Sequence, residues 1–332
     1  MGRRLLSVLL LVAVVLPVTG RAAGASEPYA CTARRQTVDL GSRTTSVPTW
    51  MCADGAAEGK PVVIGVPGTT YTHTYWDWDQ DPARYSFARS LAAAGYAVLL
   101  YDRTGTGAAD LPPALTVTLD VHAKVLHALV QRARAEGHPF VATAGHSQGS
   151  LIVMQEAARF ADVDAVVITG MLHAPMNPIG APIVVAAFGW PAQLDPRFRA
   201  VPLGYTTTVP GIRAAAFYGP TADPAVIAHD EATKSVTAPM ELATALPALV
   251  LAPPRIKVPV LDVIGQLDAA FCPPVIGCGN PLPDPIDLEH LGWPKAPRFE
   301  TFVLPGSGHD INLHPNAPAW FARARTFLDA VR

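Results

Sequence analysis

The sequence predicts an α/β fold, with a mostly parallel central sheet and helices on both of its faces. Short, wholly apolar runs such as Pro61–Val66 and Ala165–Thr169 suit strands buried on both sides. Amphipathic segments of about 10–15 residues alternate with such runs, which is the rhythm of parallel strands joined by crossover helices. Half of the 332 residues are hydrophobic and 16% are charged, enough apolar matter for one sizeable core.

Residues 1–25 read as a signal peptide. Arg3 and Arg4 precede an apolar run from Leu5 to Leu16, and Ala23 and Ala25 form an A-x-A cleavage site. The run is short of the roughly 20 residues that span a bilayer, so a secreted chain without a stable membrane anchor is expected. Four cysteines in an oxidising compartment suggest two disulfides. Three pairings are open, and Cys31–Cys52 with Cys272–Cys278 is favoured because each pair is local. Zinc is disfavoured for these cysteines, since no paired C-x-x-C units occur. The formal net charge is -2 and no basic block is present, which argues against nucleic-acid binding.

Gln36–Leu40 and Thr45–Cys52 alternate around Gly41-Ser42 as a hairpin. The strand Pro61–Val66 follows. Asp81-Pro82 reads as an N-cap with proline in the first turn, opening a helix marked by Phe87, Leu91 and Ala94 and stopped by Gly95. Tyr96–Tyr101 is the next strand. Val121, Val125, Leu129 and Arg132 mark a helix closed by Gly137. Phe140–Ala144 is a strand, Leu151–Phe160 a helix and Ala165–Thr169 a strand. Residues 171–255 break the rhythm with prolines, alanines and short helical patterns, including helix starts at Asp223-Pro224 and Ala238-Pro239. They are expected to be an insertion covering a site. The core is thus expected to comprise residues 26–170 and 256–332. Its second part holds strands at Val258–Gly265 and Arg298–Leu304 and a last helix from Asn316 to Val331.

The motif G-H-S-Q-G (145–149) follows a strand and opens a helix. In that context G-x-S-x-G places a serine on a strained turn above the carboxyl edge of the sheet. Ser147 is then the candidate nucleophile, and a hydroxyl needs a base. Of ten histidines, His309 fits best, in P-G-S-G-H-D just beyond the Arg298–Leu304 strand. His314 reads as structural, and the turn at Ser147 is expected to direct His146 away. Asp268, in G-Q-L-D-A-A-F after a strand, is the candidate carboxylate to orient the histidine; Asp262, inside that strand, is second choice. The backbone N–H groups of Gln148 and Thr69 are the candidate oxyanion donors.

These motifs, in the order Ser, Asp, His, resemble the serine hydrolases of the α/β-hydrolase superfamily over residues 62–331, with 171–255 as the helical cap or lid. Y-D-R-T-G-T-G-A-A-D (101–110) and P-G-S-G-H-D-I-N-L-H-P resemble family segments. Pro67-Gly68 stands where the family often has histidine-glycine, and Asp110 where it usually has serine. The resemblance implies an α/β-hydrolase fold and a secreted carboxylic-ester hydrolase acting through an acyl-enzyme on Ser147. No metal or organic cofactor enters this scheme, and the expected partner is a small-molecule or lipid-like acyl substrate. Thioesterase, lactonase, peptidase, acyltransferase or cyclase chemistry would use the same three residues. A non-catalytic binding protein of this fold is the reading from a different class.

The aromatic run after the oxyanion loop, with Tyr71, His73, Tyr75, Trp76 and Trp78, either lines a substrate pocket or packs a long loop. Tyr71, Tyr75, Trp76 and Met171 are the possible pocket residues. For Met171, as for Met176, Phe188 and Trp190, contact with an apolar substrate competes with cap–core packing, which is the plainer reading.

Overall fold

A computed structural model describes residues 28–332 except 174, 275 and 281–283. The expected signal peptide lies outside the described residues. An eight-stranded sheet runs through the molecule. Its strands are β1 (Tyr29–Asp39), β2 (Thr44–Asp54), β3 (Val62–Val66), β4 (Ala97–Tyr101), β5 (Val141–His146), β6 (Ala165–Thr169), β9 (Val260–Gly265) and β10 (Phe299–Leu304). Between β6 and β9 a two-stranded pair, β7 (Trp190–Pro191) and β8 (Thr206–Thr207), stands apart.

The sheet order is β1-β2-β4-β3-β5-β6-β9-β10. Both pairings of β2 are antiparallel; every pairing from β4 to β10 is parallel. Side chains alternate across the central strands, as the two-residue period of a pleated strand requires. Val62, Ile64, Val66, Leu99 and Tyr101 enter one apolar cluster, while Val63, Val98 and Leu100 enter the other. Both faces are therefore covered, and the uninterrupted apolar runs follow from that.

Four helices flank the early strands: the short α1 (Pro82–Tyr85) and α2 (Phe87–Ala92), and the longer α3 (Leu119–Ala135) and α4 (Gln148–Phe160). The cluster on the β3 side of Val62 is closed by α3 and α4, through Val125, Leu129, Ile152 and Met154. The opposite cluster is closed by α2 and the final helix α11 (Ala317–Val331), through Phe87, Leu91, Trp320 and Phe327. The expected single helix from Asp81 is two helices. Asp81 has φ 45° and makes no side-chain capping hydrogen bond, whereas Ser86 caps α2 by accepting from Arg89 N at 3.0 Å. Ser86 also donates to Asp77 at 2.6 Å, which holds it in the extended conformation of a cap and interrupts the helix.

Among the described residues, 171–255 carries five α-helices of five to ten residues: α5 (Gly180–Ala186), α6 (Arg213–Phe217), α7 (Pro224–Thr233), α8 (Pro239–Ala243) and α9 (Leu246–Leu251). Asp223 caps α7 through Ala225 N at 2.8 Å. The last short helix is α10 (Pro285–Glu289). Cys31 is bonded to Cys52 and Cys272 to Cys278, the pairing favoured from the sequence. Among the described residues, no helix is long and apolar enough to cross a membrane.

Candidate active site

The sheet order brings four loops to one edge. β3 and β5 are neighbours, β9 and β10 are neighbours, and β6 lies between the two pairs. The loops after β3, β5, β9 and β10 carry Thr69, Ser147, Asp268 and His309. Ligands of open α/β sheets bind at this carboxyl edge.

Ser147 has φ 52° and ψ -117°, a backbone state that side-chain-bearing residues seldom adopt. Its neighbours explain why it is tolerated. A Cβ on Gly149 would overlap the carbonyl oxygen of Val66, and one on Gly145 would overlap that of Gly149. Only glycine at both positions lets the turn close this tightly. Ser147 N donates to Thr169 O at 2.8 Å, which fixes the turn to β6.

The structure brings Ser147, His309 and Asp268 together. His309 Nδ1 lies 2.7 Å from Asp268 Oδ2, and His309 Nε2 lies 2.9 Å from Ser147 Oγ. With the Nδ1 proton directed at the carboxylate, Nε2 accepts from the serine hydroxyl. Asp268 is fully buried, and its Oδ1 accepts from Ala270 N at 2.9 Å. Burial alone would lower His309, but the charge and hydrogen bond of Asp268 outweigh it and hold the imidazole above its ordinary value. Asp262 is elsewhere. It is buried against Glu289, and burial together with that second carboxyl holds it well above the usual carboxylate range.

His314 takes the structural place expected of it. Its Nε2 accepts from Gly308 N at 3.0 Å and Gly219 N at 2.9 Å, tying the His309 loop to the residues after α6. His146 is not directed away from the site. It packs 5.1 Å from the His309 ring, stacked on Tyr75, with Nε2 3.1 Å from Asp310. Burial, then the nearby His309, holds it well below its ordinary value, so it is a neutral wedge behind the base.

The turn after β3 lies against the serine: a Cβ on Gly68 would meet Ser147 Cβ at 3.2 Å. Among the described residues, no acceptor is found for the backbone N–H of Thr69 or Gln148. Two buried arginines hold this turn. Arg103 donates to Gly68 O at 3.1 Å, and Arg213 to Thr70 Oγ1 at 2.9 Å. Each is neutralised from within 171–255. Arg103 pairs with Glu241, and Arg213 makes a two-pronged pair with Asp230 at 2.7 and 2.8 Å.

Glu241 also reaches the nucleophile's neighbour. Its Oε2 accepts from Gln148 Nε2 at 2.8 Å, and Gln148 Oε1 accepts from Thr69 Oγ1 at 2.5 Å. His122 lies 3.0 Å from the same carboxylate. Burial opposes the charge of Glu241, but Arg103 and His122 overcome it and bring the carboxyl down to about 2. Sequence reasoning missed Arg103, Arg213, Asp230 and Glu241. Arg103 stands in the quoted Y-D-R-T-G segment, but nothing near it in sequence names its partner.

A cavity of about 340 Å³ opens at Ser147. Its polar lining is Thr69, Ser147, Gln148 and His309; the remainder is apolar, with Met171, Met176, Val184, Phe188, Leu242 and Leu249 contributed by 171–255. Met171 lines it together with Met176 and Phe188, for which cap–core packing is the plainer expectation. Tyr71, Tyr75 and Trp76 do not. They are buried in the core cluster between the sheet and α11, where Trp76 packs on Phe87 and Trp320. Tyr71 stays in place through its hydroxyl, which lies between Asp230 and Asp310. Trp190 is also outside the cavity lining. Asp110, in the place of a serine, accepts from Ser46 N at 2.7 Å and so anchors its loop to β2.

Residues 63–324 match the model of the Alpha/beta hydrolase family. Among solved structures, the chain is similar to a thermophilic esterase from Thermogutta terrifontis, at 18% identity and a TM-score of 0.60 over 90% of this chain and 99% of that one. It is similar to an alpha/beta hydrolase fold protein from Chitinophaga pinensis, at 17% identity and a TM-score of 0.55 over 90% and 98%. It is also similar to a metagenome-derived lipolytic enzyme, at 18% identity and a TM-score of 0.55 over 83% and 96%. At these identities the likeness is one of fold. No curated protein matches the sequence.

Proposed function

From the premise that this chain belongs to the alpha/beta hydrolase family, we propose that it is a secreted carboxylic-ester hydrolase working through an acyl-enzyme on Ser147. The observation that carries the reading is the hydrogen-bonded row Ser147–His309–Asp268, at 2.9 and 2.7 Å, opening on an apolar cavity. The two disulfides support an oxidising compartment.

Ser147 Oγ attacks the acyl carbon as His309 Nε2 takes its proton, and Asp268 stabilises the imidazolium. The oxyanion is held by the N–H groups of Gln148 and Thr69. The intermediate collapses, the alcohol leaves with the proton from His309, and the acyl group stays on Ser147. Water, deprotonated by His309, then releases the acid and restores the serine.

In this reading, 171–255 is a cap between core segments 26–170 and 256–332, and it supplies most of the acyl pocket. The pocket is at the small end of the roughly 300–1,000 Å³ usual for ligand sites. A substrate with a modest apolar acyl group fits it better than a charged one, because the acyl wall carries no charged side chain. The test is hydrolysis of p-nitrophenyl esters by the pure protein beside Ser147→Ala. The variant should lose on the order of 10⁶ in kcat. A variant with wild-type turnover, or a folded wild type that a fluorophosphonate fails to label at Ser147, ends the proposal.

A further inference from the structure

Buried polar atoms in folded chains are almost always hydrogen-bonded. Among the described residues, many of those without a partner are isolated, such as the indole N–H of Trp76 or the hydroxyl of Thr143. One place gathers several. His127 Nδ1, both carboxylate oxygens of Glu156 and Asp162 Oδ1 are buried and make no hydrogen bond outside their own cluster. The three residues each offer one ligand atom, and these atoms lie within 4.8 Å of one another. His127 Nδ1 is 2.8 Å from Asp162 Oδ2 and 3.7 Å from Glu156 Oε1.

The fold builds this cluster on purpose-shaped elements. His127 stands on α3 and Glu156 near the end of α4. Ala161, at φ 53°, terminates α4 and turns the chain so that Asp162 returns to the same spot. The carboxyl end of a helix favours a cation. The His127 ring is held by stacking on Phe160 at 3.9 Å between centroids. Gln131 Nε2 donates to Asp162 Oδ2 at 2.5 Å and orients that carboxylate. The Glu156 side chain is wholly buried, while His127 is 31% exposed, so solvent reaches one side of the cluster.

We propose that His127, Glu156 and Asp162 form a binding site for a divalent metal ion of the zinc type. One imidazole nitrogen and two carboxylates are a zinc donor set, and the exposed side leaves room for a water. The site is remote from ester chemistry: the eight residue steps from Gln148 to Glu156 span about 12 Å of helix. It pins α3 to the end of α4 opposite the one that presents Ser147. The sequence held no sign of it, because the ligands are spread over two helices and a turn in no recognised spacing.

The test uses the full chain, freed of metal with a chelator and titrated calorimetrically with ZnCl₂. One equivalent is expected to bind, and the metal should raise the melting temperature. His127→Ala and Glu156→Gln, each checked for cooperative metal-free melting, should weaken binding at least about tenfold. If either variant fails to fold, Asp162→Asn replaces it. Absence of Zn²⁺ binding by the folded wild type overturns the proposal, as does undiminished one-equivalent binding by any folded variant.

Discussion

Gln148 Nε2 donates to Glu241 Oε2 at 2.8 Å, joining the residue after the candidate nucleophile to a helix 93 positions further along the chain. Through Arg103 the same carboxylate also holds Gly68, so both candidate oxyanion donors hang on one buried acid. Glu241→Gln is expected to lower kcat for ester hydrolysis by about 10²-fold, the usual cost of an ångström-scale misplacement. KM should change little, because Glu241 does not line the cavity. Steady-state kinetics on one ester separates the two.

The same substitution leaves Arg103 buried without its counter-charge. A cost of about 3–5 kcal/mol in urea unfolding is expected. The pH dependence has a defined sign. The folded-state carboxyl is depressed to about 2 from its ordinary 4.5. The stability it contributes is therefore complete above about pH 4.5 and is lost as pH falls toward 2. Unfolding midpoints measured across that window should drop in the wild type and drop less in Glu241→Gln.

His309 must be neutral to take the serine proton, and Asp268 holds it above its ordinary value against the opposing effect of burial. The acid limb of kcat/KM should therefore lie above pH 6.5, the ordinary histidine value. Asp268→Asn removes the two largest raising influences and leaves burial opposed only by the charge of Asp310, so the residual activity should persist to lower pH while kcat falls by about 10⁴. A pH–rate profile for both proteins checks the direction.

Ala243 lines the cavity and is exposed, so an added ring there enters open space instead of the core. Ala243→Phe should reduce kcat/KM on p-nitrophenyl octanoate at least about tenfold, the scale on which pocket contacts discriminate. Turnover of the acetate should stay close to wild type. An equal effect on both esters would show that the acyl chain lies elsewhere.

The two disulfides should differ in kind. Cys31–Cys52 closes 21 residues at the β1–β2 edge, far from the serine along the sheet order. Cys272–Cys278 closes only 6, but Cys272 N donates to Asp268 O at 2.8 Å. Replacing the first pair with serine should cost about 3 kcal/mol of stability and spare activity. Replacing the second should cost about 2 kcal/mol and lower kcat. Denaturant unfolding and kinetics on each double variant separate these outcomes.

The sequence by itself located most strands and helices of the core, favoured one of three disulfide pairings, and named Ser147, Asp268 and His309 as the residues to be brought together. Those features have local signatures: apolar period, glycines flanking one serine, a loop after a strand. The strained φ of Ser147 and the closeness of Gly149 to Val66 are the physical content of the short G-x-S-x-G pattern. Tertiary structure alone decided what lines the cavity and what holds the oxyanion turn. Tyr75 and Trp76 are aromatic and near Ser147 in the loop order, yet the face they turn to is set by packing, Trp76 on Phe87 and Trp320 and Tyr75 on Trp76 and His146. Glu241 sits in a short, proline-led helix like others nearby, and only folding supplies Arg103, His122 and Gln148 as its partners. A buried charge is stable where opposite charge and donors surround it. Those neighbours come from distant parts of the chain, and no local period records them.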